Sequence, residues 1–212
     1  MYLFSRSARL GLGRVRESVG FAIEQRDRVH EITGLDIGLW QLFASPGIGT
    51  ITWTAFVPDL ATLERAGDAL IGNDDFVKAI DKGADFFVGG FDDGLAQIIH
   101  GEPDPAREIN YVTAVTSVCA PGHLSDGIAV GVEIAQKAED ITGTPTLFVI
   151  GMTGPYATVG WFTGFANIEQ LDREEQAVYA DPDFLKLIDG PGSTAYTSDP
   201  AASSQVIYRR IP

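Results

Sequence analysis

The chain has 212 residues, 45% of them hydrophobic, and carries 29 acidic against 15 basic side chains for a formal charge of -14. That allows one large domain or two of about 100 residues, with apolar content enough for a packed core, and excludes a disordered chain. Residues 1–109 carry 10 basic and 17 acidic groups and residues 110–212 carry 5 and 12, so each half stands at -7 with no basic face for phosphates or anionic lipid, and neither nucleic acid nor membrane is an expected partner.

In chain order, residues 1–10 read as a strand ended by Gly11 and Gly13. Val15, Val19, Ala22, Ile23 and Val29 have helical spacing over 14–31, and Gly34 stands at the helix exit, where a positive φ is cheap. Strands at 36–44 and 49–57 flank Ser45-Pro46-Gly47-Ile48 and read as a hairpin. Asp59 is placed to cap a helix carrying Leu60, Leu63 and Ala66–Leu70. Phe76, Val77 and Ile80 mark a second helical segment, and Gly89-Gly90, Asp92-Asp93 and Gly94 read as a flexible loop before a last strand at 95–100. A short linker at 101–107 holds Pro103 and Pro105. The order then recurs: strand 110–119, helix 123–140, strands 145–152 and 158–166, an Asn167 cap before Ile168 and Leu171, a segment with Phe184, Leu185 and Ile188, and strand 204–209.

The recurrence extends to residue identity. Glu31-Ile32-Thr33-Gly34 returns 109 positions later as Asp140-Ile141-Thr142-Gly143, and the same displacement carries Tyr2 onto Tyr111, Thr54 onto Thr163 and Phe56 onto Phe165. At a displacement of 108, Asp75-Phe76-Val77-Lys78-Ala79-Ile80-Asp81 meets Asp183-Phe184-Leu185-Lys186-Leu187-Ile188-Asp189, and Gln97-Ile98-Ile99 meets Gln205-Val206-Ile207. Collinear matches across both halves read as a tandem duplication, with repeats at 1–103 and 104–212. The order strand, helix, strand, strand, helix, strand is the βαββαβ, ferredoxin-like unit. The expected fold is α+β: two tandem ferredoxin-like units whose antiparallel sheets pack face to face within one chain.

With Gly13 and Gly122 before the first helices, the central hairpins and the Asp-Phe-x-Lys-x-Ile-Asp segments, the chain resembles the dimeric α/β-barrel superfamily in its fused, tandem form, near NIPSNAP-like and antibiotic-monooxygenase-like proteins. The resemblance implies a range of activities: cofactor-free oxygenation of aromatic polyketides, haem degradation, chlorite dismutation, lactone isomerisation, aldoxime dehydration, or no known activity. Fold alone does not choose among them.

Candidate chemistry is sparse. Cys119 is the only cysteine, so no intrachain disulfide or cysteine-based metal site forms; it aligns with Leu10 and reads as packing. Arg6, Arg9, Arg14 and Arg16 follow the apolar Tyr2-Leu3-Phe4, the reverse of a signal peptide, and no run approaches 18 apolar residues. A cytoplasmic protein is expected. Gly11-Leu12-Gly13 lacks the third glycine of a dinucleotide loop, and no metal-ligand spacing links His30, His100 and His123. His100, on the last strand of the first copy, and His123, opening a helix of the second, are the candidate catalytic residues. Arg14, Trp53, Phe56, Trp161, Phe165 and Tyr208 are the candidate pocket residues. At the displacement of 109, Trp53 and Trp161 fall on opposite sheet faces. Glu174-Glu175 reads as solvent-facing charge.

Two functional readings remain. One is an enzyme of the cofactor-free monooxygenase-like type, acting on a small apolar or aromatic molecule in a barrel cavity, with haem on a histidine as the alternative cofactor. The other is a noncatalytic small-molecule-binding or self-assembling protein. Fusion leaves either a monomer with a pseudo-dimeric core or a homo-oligomer.

Overall fold

The computed structural model describes residues 1–11 and 13–212; Leu12, of the Gly11-Leu12-Gly13 segment weighed as a dinucleotide loop, lies outside them. The first copy runs β1 (Tyr2–Leu10), α1 (Val15–Thr33), β2 (Ile37–Phe43), β3 (Thr50–Val57), α2 (Leu60–Ile71), α3 (Asp74–Gly83) and β4 (Phe87–His100). The second runs β5 (Tyr111–Val118), α4 (Leu124–Thr142), β6 (Thr146–Gly151), β7 (Thr158–Phe165), α5 (Ile168–Ala180), α6 (Pro182–Leu187), a π-helical turn at Ile188–Gly192 and β8 (Ser204–Arg210). Hydrogen bonding orders the strands β1-β3-β2-β8-β5-β7-β6-β4, and the order closes on itself as a barrel. Among the described residues no helix is long and apolar enough to cross a membrane.

The chain divides into two compact units: Met1–Leu42 with Pro46–Leu95 and Arg210–Pro212, and Phe43–Ser45 with Ala96–Arg209. Local chemistry sets the element ends as the sequence suggests. Gly34 and Gly143 both have φ of 72°, each ending its helix in the left-handed conformation. Asp59 accepts from the Thr62 amide and Asn167 from the Gln170 amide, so both helices are capped by side chains that satisfy an orphan N–H. One expectation fails: Gly89-Gly90, Asp92-Asp93 and Gly94, read as a flexible loop, lie within a 14-residue strand that begins at Phe87. Alternate side chains there still pack: Phe87 and Phe91 lie 6.0 and 6.3 Å from the Trp53 ring, which a free loop would not provide.

The aromatic register also differs from expectation. In the first unit Trp53 pairs across the sheet with Leu39 and donates its indole N–H to the Ala22 carbonyl of α1, at 3.1 Å. In the second, Trp161 pairs with Phe148 and donates to the Gly131 carbonyl of α4, at 2.9 Å. Ala22 and Gly131 are 109 apart and so are Leu39 and Phe148, yet the tryptophans are 108 apart. The one-residue deletion therefore lies in the β2–β3 and β6–β7 connections, before the tryptophans. Both tryptophans occupy the same position, on the helix-facing side of their sheets, and not opposite faces. Phe56, three residues after Trp53, points the other way and is half-exposed.

Packing beneath these indoles is matched in volume. Ala22 meets the smaller Leu39 side, whereas Gly131 meets Phe148, whose ring a Cβ at Gly131 would overlap. Ala22, Leu39 and Phe148 are all sealed from solvent.

Candidate functional site

The second unit holds a half-open cavity of about 500 Å³ between the helix-facing side of its sheet and the helices over it. Its floor follows the period of two along the strands: Thr113, Val115 and Ser117 from β5, Trp161, Thr163 and Phe165 from β7, and Thr146 from β6. Ile134, Ala138 and Thr142 project from α4, and Glu174, Glu175, Val178 and Tyr179 from α5. Phe184 of α6, the π-helical turn and Tyr196 close the remaining wall.

The π-helical turn has an origin in the duplication. Ile80 and Ile188 are 108 apart, but Phe86 and Ala195 are 109 apart, and their carbonyls do the same job, accepting from Gly11 and Ala120 at 2.9 and 2.8 Å. The second copy thus carries one extra residue between these points, absorbed as a wider helical turn. That turn sets Ile188, Asp189 and Gly192 on the cavity wall.

Hydroxyls and carboxylates stand among the apolar side chains of this wall. Thr146 and Thr163 hydroxyls bond each other at 2.9 Å, as do Ser117 and Ser203. The Tyr196 hydroxyl donates to the Gly127 carbonyl at 2.6 Å; burial, with Cys119 adjacent, holds it far above the ordinary phenol value, so it stays protonated. The Tyr179 hydroxyl donates to Gln205 at 3.4 Å, and burial, then the neighbouring Glu175 charge, also raises it. Glu175 is raised above the ordinary carboxylate range because burial penalises its anion, against a hydrogen bond with Thr113 that favours the anion. Glu174 is 8% exposed. Its Oε1 lies 3.5 Å from the exposed Arg173 guanidinium, and its buried Oε2 accepts no hydrogen bond among the described residues.

The two glutamates are the main departure from the sequence reading, which set both in solvent. A signal for them exists. On α2 the apolar stripe runs Leu60, Leu63, Ala66, Leu70, and its counterpart on α5 runs Ile168, Leu171, Glu174, Val178. A carboxylate that interrupts an apolar helix stripe at the position of a buried alanine faces the core side of the helix.

Of the residues expected to form a pocket, Trp161 and Phe165 line this cavity. Trp53 holds the equivalent place in the first unit, packed by Phe87 and Phe91. Arg14 pairs with Glu17 at 2.6 Å and lies over the Phe86 ring. Tyr208 is half-buried on β8, paired in register with Val112, and is not a lining residue of this cavity. His123 is exposed at the start of α4, its Nδ1 2.9 Å from Asp126. His100 is mostly buried on β4, its Nε2 3.5 Å from Glu139, whose Oε1 also accepts from the Thr146 amide. Neither histidine lines the cavity.

Among the described residues, no three His, Cys, Asp or Glu side chains come together as a metal site. Haem does not fit the lining: it contains no histidine or cysteine to serve as an axial ligand, and the hydroxyls of its two tyrosines are engaged elsewhere.

No family model matches the sequence, and no curated protein matches it. Solved structures do match. A candidate monooxygenase of Fusobacterium nucleatum subsp. nucleatum superposes on all of this chain and 92% of its own, with a TM-score of 0.71 at 7% identity. An anthrone oxidase-like protein covers all of this chain and 91% of its own, with a TM-score of 0.66 at 9% identity. A candidate monooxygenase from Lactobacillus acidophilus covers 99% of this chain and 93% of its own, with a TM-score of 0.65 at 11% identity. Identities this low show the fold and not the activity. The chain has the ferredoxin-like α/β-barrel fold of these monooxygenase-like structures, built here from a tandem repeat.

Proposed function

We propose that the second unit is an enzyme site for a small, largely aromatic molecule, and that the reaction is oxygenation with dioxygen and no bound cofactor. The observation that carries this is the cavity itself: about 500 Å³, walled by aromatic and aliphatic side chains, with a carboxylate of raised pKa on one side. The likeness to candidate monooxygenases and an anthrone oxidase-like protein supports the reaction class.

In this reading the substrate is an activated methylene flanked by aromatic rings. Glu175 removes one proton from that carbon, and the walls exclude water and hold the ring system still. The substrate carbanion then supplies electrons to dioxygen. Over the full reaction the methylene loses two hydrogens and gains one oxygen, becoming a carbonyl, and the second oxygen leaves as water. Carbon gives up four electrons and dioxygen takes up four. The proton held by Glu175 returns on the way to water. A base raised above the ordinary carboxylate range matches this task better than an exposed carboxylate, because a stronger base takes the proton more readily. The histidines expected to be proton acceptors have no part in the step, since both lie outside the lining.

Anthrone is the test substrate, with dioxygen uptake and quinone absorbance as readouts. The rate should rise with pH through the raised Glu175 value and then level. Glu175→Gln should remove that limb and cost about a hundredfold or more in turnover. The same titration has a stability signature. Because the folded-state pKa is raised, ionisation of Glu175 weakens the fold: stability falls as pH climbs from the ordinary carboxylate value to the raised one. Glu175→Gln should flatten that slope in denaturant unfolding. Full turnover in Glu175→Gln, or no binding and no oxidation of anthrone by the native protein, overturns the proposal.

A further inference from the structure

We propose that the ligand of the second-unit cavity carries a cationic nitrogen, protonated or quaternary, on its apolar frame, and that Glu174 is its counter-ion. This rests on the reading of the cavity as a ligand site and adds the class of ligand.

The charged side chains on the cavity wall are Glu174, Glu175 and Asp189, and the lining has no lysine, arginine or histidine. Glu174 is more than nine-tenths buried, and one of its oxygens accepts nothing among the described residues. A buried carboxylate oxygen left without a hydrogen bond is costly, and the cation paired with Glu174 is the exposed Arg173, 3.5 Å from its other oxygen. The walls nearby are aromatic. Trp161 sits between Phe148, 5.2 Å away, and Tyr196, set edge-on at 5.4 Å. Tyr179 and Phe184, 6.5 Å apart and edge-on, line the helical side of the same cavity. Carboxylates and aromatic faces attract the same partner, an organic cation, and both gain strength when water is excluded. A ligand that arrives as an anion would find no cationic side chain on this wall. A neutral phenol could give Glu174 one hydrogen bond but would leave the charge of the site uncompensated.

The first unit gives an internal contrast. Ala66 and Gly67 stand where Glu174 and Glu175 are, and Arg6, paired with Asp93, stands where Val115 is. Buried acid is thus not a requirement of this helix-on-sheet layer; it belongs to the copy that has the cavity described.

The test uses benzyltrimethylammonium and its neutral carbon isostere, neopentylbenzene, titrated into the full-length protein and followed by tryptophan fluorescence and ligand NMR. The cation should bind about tenfold or more tightly than the isostere. In Glu174→Gln that preference should shrink to within about threefold, while the isostere binds as before. A second comparison needs no variant. Raising sodium chloride from about 50 to 500 mM should weaken cavity binding of the cation less than about threefold, because buried pairs are poorly screened; attraction to the acidic surface would collapse. Equal or better binding of the isostere, a preference that survives Glu174→Gln, or loss of cation binding in salt overturns the cationic ligand while leaving the cavity as a site. If neither compound binds and anthrone does not either, the underlying reading fails with it.

Discussion

The two copies of the repeat build the same helix-on-sheet layer and fill it differently. In each, a tryptophan indole on the central strand donates to a carbonyl in the middle of the long helix, Trp53 to Ala22 and Trp161 to Gly131. Around that shared anchor the first unit sets Phe87 and Phe91 against Trp53, with Arg6 held by Asp93 above Phe91. The second unit has Val115 in place of Arg6, Thr113 in place of Phe4, and two glutamates in place of Ala66 and Gly67. Duplication frees one copy from the need to do both jobs. One sets aromatic rings and an arginine–aspartate pair at its indole, and the other sets carboxylates and hydroxyls on a cavity wall.

The largest effect expected from breaking this comparison is at the paired strands below the indoles. Phe148→Ala should cost about 3–5 kcal/mol and Leu39→Ala about 2–5 kcal/mol, read from denaturant midpoints, since both side chains are fully buried. The finer test exchanges the packing solutions. Gly131→Ala alone pushes a Cβ into the Phe148 ring and should destabilise by about 1–3 kcal/mol despite the better helix propensity of alanine. Together with Phe148→Leu, which recreates the Ala22–Leu39 pairing of the other copy, most of that loss should return. Additive losses in the double variant would show that the two layers are not packed by the same rule.

A smaller effect of opposite sign is expected at Glu174. Glu174→Leu removes a buried carboxylate with an orphan oxygen and restores the apolar stripe found at Ala66, so it should stabilise the fold by about 1–3 kcal/mol. The reciprocal change, Ala66→Glu, should destabilise the first unit by a similar amount or more, since Ala66 is buried. Melting of the two variants beside the native protein checks both signs. A destabilised Glu174→Leu would mean that the carboxylate holds the fold and is not kept for a ligand.

Much of this architecture was legible in the sequence because it depends on local chemistry repeated twice. The caps at Asp59 and Asn167 and the left-handed glycines at 34 and 143 each report their own helix end, and each copy corroborates the other. What was not legible depends on register. Thr54 and Phe56 match Thr163 and Phe165 in identity, and those coincidences drew the deletion past the second strand of the hairpin. A slip of one residue in a strand reverses every side chain, so Trp161 was turned to the wrong face. Only the indole bonds to Ala22 and Gly131, which join positions far apart in sequence, fix the true register. The cavity was hidden for a related reason. Adjacent glutamates on a helix ordinarily face water, and nothing local tells that these two line a cavity. The strand character of residues 87–94 is likewise tertiary: three glycines and two aspartates have no intrinsic preference for a sheet, and Phe87 and Phe91 anchor that stretch against Trp53.

The smallest expected effect concerns the pair that substitutes for a valine. The Arg6 guanidinium meets Asp93 through two hydrogen bonds of 2.7 and 2.6 Å and stacks 5.6 Å from the Phe91 ring centre. Both side chains are 45% exposed, so water screens most of the attraction, and Asp93→Asn should cost only about 0.5–1 kcal/mol, less in high salt. Arg6→Val, which copies the second unit, loses the pair and also the apolar stem lying on Phe91, so it should cost more than Asp93→Asn at every salt concentration. The remainder at high salt measures packing alone. If the two variants converge as salt rises, the arginine contributes through charge only, and the first unit is held closed by its phenylalanines.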